Sequence, residues 1–207
     1  VVPIVLYGLG SDRLGLTDVT PHIRRAQVSE SVNYCLSHAL KFAEIAGRSS
    51  SQKMEQRWRS LLPVDKSWRQ RWNDLGIEYV APYDLSKANK YPANSFDVIY
   101  SHSCIGFIPR EDFGSVVSEM HRLLRPDGIS CHVVDLTDDH ANLDASIGPL
   151  DFLKYDEATW QRIGNCRLHY QNRFRPRDYV QFVESPAWCV KYDLNPDPNV
   201  MVDRTGF

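Results

Sequence analysis

Apolar residues follow a helical period through most of the first third of the chain. Val32, Cys35, Leu36, Ala39, Leu40 and Phe42 form one such run, and Gly47-Arg48-Ser49-Ser50-Ser51 breaks it. Met54, Trp58, Leu61 and Leu62 form a second, ended by Pro63, while Trp68 and Trp72 open a third that Gly76 stops. The stretch 28–73 is therefore expected to be a helical insertion or lid between two strands. Ahead of it, Val1 to Gly10 has two readings. As a strand ending in Gly8 and Gly10 it suggests a nucleotide-binding turn, but Arg13 stands where that turn needs a third Gly or Ala, and the acid Asp18 follows too soon. The better reading is a helix with Pro3 in its first turn and Gly10 as its stop. A strand over Arg13–Asp18 and the turn Val19-Thr20-Pro21 follow.

Further on, the pattern changes to short apolar runs. Ile77–Ala81 reads as a strand, and Phe96–Ser101 as a near-continuous apolar strand of the kind buried on both faces. Phe113, Val116, Val117, Met120 and Leu124 mark one face of a helix, with Pro109, Glu111 and Asp112 suiting its start. Arg125-Pro126-Asp127-Gly128 reads as a turn before the strand Ile129–Asp135. Trp188–Tyr192 reads as a sixth strand, and Val200–Val202 as the start of a seventh. Strands alternating with helices predict an α/β fold: a Rossmann-like, mostly parallel sheet with helices on both faces. Ligands in such sheets bind outside the carboxyl ends of the strands. Asp18, Asp84, Ser101, His102 and Asp135 all fall at those ends.

Composition narrows the function classes. The 207 residues are 43% hydrophobic and 11% aromatic, ample for a core. A net charge of −2 gives no footprint for nucleic acid or an anionic membrane. No apolar run approaches the roughly 20 residues of a membrane helix, and there is no signal-peptide pattern. Five scattered cysteines without a C-x-x-C pair argue against a zinc knuckle or disulfide framework and fit reduced thiols in a cytoplasmic protein. Strand alternation sends His132 and Asp135 to opposite faces, which argues against a metal site among the nearby acids and histidines.

Ser95-Phe96-Asp97-Val98-Ile99-Tyr100-Ser101-His102-Ser103, followed by Glu119-Met120-His121-Arg122-Leu123-Leu124-Arg125-Pro126-Asp127-Gly128, closely resembles class I S-adenosylmethionine-dependent methyltransferases. The resemblance runs in order from about Pro3 to Asp135. It implies a single domain over 1–207 in which 28–73 lies between the family's second and third strands and 136–185 covers the substrate side. The family's glycine-rich first motif would sit just before Val1. The resemblance implies S-adenosylmethionine as cofactor and a small molecule as methyl acceptor. Asp18 then matches the acid that bonds the ribose hydroxyls, and Val19 lies against the adenine. Asp84 matches the acid that receives the adenine amino group, with Leu85 beside it. Ser101, His102 and Ser103 match the segment next to the methionine moiety and substrate. The Leu-Glu-His group of many relatives is replaced here by Ile105-Gly106-Phe107, so its role does not transfer.

Other residues are candidates on their own chemistry. His140, after two acids at a strand end, is a candidate base alongside His102. Tyr170, Asn172, Arg173 and Arg175 are candidates to hold a carboxylate or phosphate of the substrate, within a locally basic stretch that includes Arg162, Arg167 and Arg177. The rivals are a nicotinamide-dependent oxidoreductase, which would need Gly8-Leu9-Gly10 to hold a pyrophosphate, and a non-catalytic relative that keeps the fold as a binding module.

Overall fold

A computed structural model describes residues 2–62, 64–87, 90–163 and 170–183. They form two compact units, Val1–Asp84 and Leu85–Phe207. The expected strands at 188–192 and 200–202, with Pro63 and Arg167, lie outside the described residues.

In the first unit, α1 (Val2–Leu9) leads into β1 (Leu14–Thr17). Pro3 sits in the first helical turn, where its missing N–H leaves no bond unmade. Gly10 ends the helix at φ +112°, and the N–H groups of Gly10 and Ser11 bond back to the Tyr7 and Leu6 carbonyls at 3.1 Å. Gly8 lies inside α1, so it forms no phosphate-binding turn. A Cβ there would come within 2.2 Å of Trp58 Nε1. Glycine is required because two helices meet at that point.

The segment that follows is helical, as its period predicts. It comprises α2 (Arg25–Ser37), α3 (Ala39–Ile45), α4 (Gln52–Ser60) and α5 (Trp68–Asp74). Its apolar stripes build the body of the unit: Val32, Cys35, Met54, Trp58 and Leu61 are fully buried, around Ile4, Tyr7, Trp68, Trp72 and Ile77. A segment expected as an insertion or lid thus supplies most of a core. Trp58 ties it to α1 by donating to the Ile4 carbonyl at 2.7 Å. Gly76, at φ +80°, turns the chain from α5 into β2 (Ile77–Val80). β2 pairs with β1 in parallel, from Leu14 opposite Ile77 to Thr17 opposite Val80.

The second unit repeats the strand–helix–strand logic. β3 (Phe96–His102) leads through α6 (Arg110–Leu123) to β4 (Leu124–Val133), which runs parallel to β3. Pro109 caps α6, Glu111 and Asp112 occupy its first turn, and His121 and Arg122 its last, matching the helix dipole at both ends. Phe113, Val116, Val117, Met120 and Leu123 form the buried face. The expected turn at Arg125–Gly128 is carried inside β4 as an irregularity. Phe96 pairs with Leu124 but Val98 with Ile129, so the intervening residues loop out. A Cβ on Gly128 would lie 3.0 Å from the Arg125 carbonyl oxygen, so the loop is tight.

After β4 come 3₁₀ turns at Asp139–Asn142 and Asp151–Lys154, then α7 (Glu157–Ile163) and α8 (Pro176–Val183). Phe113 gathers Phe174, Tyr179 and Phe182 around it, with ring centroids 4.8–5.5 Å away.

Two expectations change. Among the described residues β1 pairs only with β2 and β3 only with β4, so two small parallel sheets stand where one continuous sheet was expected. β3 was also read as buried on both faces. Ile99 and Ser101 are partly buried, whereas Val98, Tyr100, Ile129 and Val133 are exposed. No helix among the described residues is long and apolar enough to cross a membrane.

Candidate functional site

The parallel pairing of β1 and β2 brings their carboxyl ends to one rim of the first unit. Asp18 follows β1 directly, its N–H bonding the Val80 carbonyl at 3.2 Å. Its own carbonyl receives the Tyr83 N–H at 2.8 Å, which fastens the two loops together. Asp84 follows on the same rim. The Asp18 carboxylate is half-buried and has no hydrogen-bond or ion-pair partner among the described residues. Asp84 is exposed, and Val19, beside Asp18, is 65% exposed. Two acids and an exposed apolar side chain thus lie in the loops that follow β1 and β2. Tyr79, Thr20 and His22 flank them, with the His22 N–H on the Tyr79 hydroxyl at 3.0 Å.

A second rim lies in the other unit, at the carboxyl ends of β3 and β4. Ser103 takes φ +51°, rare for a residue with a side chain, and its N–H reaches the Val133 carbonyl at 2.8 Å. This turns the chain sharply out of the strand and presents His102 and Ser103 together, the Ser103 hydroxyl 3.3 Å from His102 Nδ1. Ser101 meets His132 Nδ1 across the strand pair at 2.7 Å. The carboxylate of Asp135 accepts from the Thr137 N–H and hydroxyl, at 2.9 and 2.6 Å, and so shapes the loop after β4.

Residues 31–131 match the family model described as a methyltransferase domain. The match covers just under half of the chain and supports a class I S-adenosylmethionine-dependent methyltransferase. No curated protein and no solved structure matches the chain. The matched stretch contains Asp84, Leu85, Ser101, His102 and Ser103. Asp18 and Val19 precede it, and the cover region follows it. Members of the family use S-adenosylmethionine and transfer its methyl group, and the alternating strands and helices with parallel pairing fit the Rossmann-like fold of such domains.

The other expected site residues have the following surroundings. Leu85 is partly buried, packed against the cluster of Phe113, Val116 and Val117, and lines a surface pocket with Ser86, Glu111 and Gly114. His140 sits in the 3₁₀ turn, its ring edge-on to Trp160 with centroids 6.3 Å apart, and its N–H bonds the buried Asp138 carboxylate at 3.0 Å. Asn172 and Arg173 were expected to hold substrate, but their polar atoms are spent internally. Asn172 Nδ2 donates to the Ile105 and Ile108 carbonyls, at 2.9 and 3.1 Å, while its Oδ1 accepts from Phe174 N–H and the Tyr179 hydroxyl. Arg173 donates to the Phe152 and Tyr155 carbonyls and pairs with Glu157. Arg175 donates to the Leu136 carbonyl at 2.6 Å, and burial presses its pKa down. The Tyr170 hydroxyl accepts from the Arg110 N–H at 3.3 Å, and burial raises its pKa. These side chains lock the chain after β4 against the turn at Ile105–Phe107.

Sequence reasoning missed Gln171, Tyr179 and His132. Gln171 bonds the Thr137 carbonyl at 2.6 Å and holds the loop that carries His140. Burial pushes the Tyr179 phenol up to about 12. His132 is half-buried, and desolvation holds its pKa below the usual histidine value. For Gln171 the signal was its place between Tyr170 and Asn172. For His132 no signal existed before the strand register was known.

Proposed function

We propose that the chain transfers the methyl group of S-adenosylmethionine to a small-molecule acceptor by direct displacement. The observation that carries this reading is the shared rim of Asp18 and Asp84. A carboxylate accepts from two vicinal hydroxyls at once, which suits Asp18 to a ribose, while Asp84 suits an exocyclic amino group and Val19 a ring face. This donor set fits a nucleoside. Ser101 and Ser103 are the candidates to meet the methionine portion. When bound, S-adenosylmethionine supplies a methyl on a sulfonium whose sulfur departs as a neutral thioether. With the leaving group already activated, the work left to the protein is alignment and exclusion of water. His102, exposed at the end of β3, and His140 are the candidates to take a proton from an acceptor hydroxyl or amine. The internal ties of Asn172 and Arg173 support a scaffolding part for them in the substrate cover, leaving Tyr170 and Arg175 as candidate contacts.

Calorimetric titration of the full chain with S-adenosylhomocysteine and, separately, with NADH tests this. Saturable binding of the first and none of the second is expected. Binding of NADH alone would replace the reading with an oxidoreductase, and binding of neither would leave a non-catalytic module. Gly8 inside α1 already speaks against the nicotinamide reading, because no glycine turn is free to cradle a pyrophosphate there.

A further inference from the structure

His132 is a half-buried titratable group with no part in the chemistry above, yet both of its ring nitrogens are engaged. Nδ1 lies 2.7 Å from the Ser101 hydroxyl and Nε2 lies 2.7 Å from the Ser130 hydroxyl. The arrangement follows from register. Ser101 and His132 are cross-strand partners, and Ser130 precedes His132 on the same face of β4. A neutral imidazole has one N–H donor and one acceptor. The three groups therefore form a chain polarised in one direction: if Ser130 donates to Nε2, then Nδ1–H donates to Ser101, and the reverse holds for the other tautomer. In one tautomer the Ser101 hydroxyl spends its proton on Nδ1, and in the other it accepts from Nδ1–H and keeps its proton to donate elsewhere. Its remaining hydrogen-bonding capacity, as donor or as acceptor, is set by the imidazole.

We infer that His132 is a positioning residue, which sets the donor or acceptor role of the Ser101 hydroxyl at the end of β3 and so what that hydroxyl offers a ligand. The inference rests on the proposed function, in which Ser101 meets the methionine portion of the cofactor. It adds a residue whose own side chain touches neither reactant. Neutrality of the imidazole, favoured by its desolvation, keeps the chain of bonds polarised.

The two isosteric amides separate this role from simple packing. An Asn side chain places its amide near the Nδ1 position and a Gln side chain near the Nε2 position. His132→Asn therefore keeps a partner for Ser101, whereas His132→Gln keeps one for Ser130 only. Calorimetry of the full chain with S-adenosylhomocysteine is expected to show His132→Asn within about 3-fold of the unaltered protein. His132→Gln should weaken binding about 10-fold, as should Ser101→Ala, the scale of one hydrogen bond. Thermal unfolding of each variant reports its folding. Equal affinities for the Asn and Gln variants would overturn the role of His132 and leave the methyltransferase reading standing. No binding by the unaltered protein would overturn both. Nitrogen NMR of the imidazole supplies a readout that needs no ligand. Ser101→Ala should move the Nδ1 resonance and Ser130→Ala the Nε2 resonance, and an unmoved Nδ1 in Ser101→Ala would also overturn the inference.

Discussion

Asp18 and His132 show what a single residue's surroundings decide. Asp18 keeps a half-buried carboxylate at a strand end with no hydrogen-bond or ion-pair partner among the described residues. Asp18→Asn and Asp84→Asn are each expected to weaken S-adenosylhomocysteine binding about 10- to 100-fold, because a charge-assisted hydrogen bond contributes about 1.5–3 kcal/mol. The melting temperature of Asp18→Asn should not fall, since that carboxylate supports nothing else; calorimetry and a thermal scan check both halves. His132 gives a pH prediction. Its folded pKa lies below the unfolded value near 6.5, so the unfolded chain takes up a proton first as the pH falls. Its contribution is complete above about pH 6.5 and is lost progressively below it, until the folded pKa is reached. Urea unfolding between pH 5 and 7.5 should therefore be shallower in pH for His132→Gln than for the unaltered protein. Parallel curves would reject the assignment.

At the scale of elements, α1 and α4 touch through a contact with no room for a side chain. The Trp58 indole fills the space over Gly8 and bonds the Ile4 carbonyl. A methyl at Gly8 has nowhere to go except into a buried ring. Gly8→Ala should thus cost about 1–3 kcal/mol by overpacking, despite alanine's better helix propensity. Urea unfolding measures this, and a stabilised variant would show that the two helices do not meet as described. The elements themselves were readable from local pattern. Pro3 and Gly10 bracket α1, Gly47 and Gly76 end their runs at positive φ, and Pro109 with two acids starts α6. Each signal acts within a turn of its own position, so no distant partner is needed to interpret it. The turn at Arg125–Gly128 was equally local, but that β4 would continue through it depended on pairing with β3.

The whole molecule consists of two units, each with its own core. Trp58→Ala removes a fully buried ring from the first, at a cost of about 3–5 kcal/mol. Its effect should stay local. Hydrogen exchange is expected to speed up for amides of α1, α2 and α4, and much less for those of α6 and β4. Uniform acceleration across both units would show instead that they unfold as one. The sequence, read as a single domain with a helical insertion or lid, carried no mark of this grouping. Hydrophobic period tells which face of a helix is buried, but not which other face it is buried against.

Local rules thus determined the helices as far as α6, the four strand segments now described and the acids at their ends, because capping, turn geometry and side-chain alternation act between near neighbours; α7 and α8 were not read. The family motif was equally readable, since it too is a run of adjacent residues. Tertiary structure alone decided what those residues do for one another. Asn172 finds the Ile105 carbonyl 67 residues away in sequence, and His132 finds Ser101 across a strand pair. Such partners are chosen by register and packing, which depend on the whole chain at once.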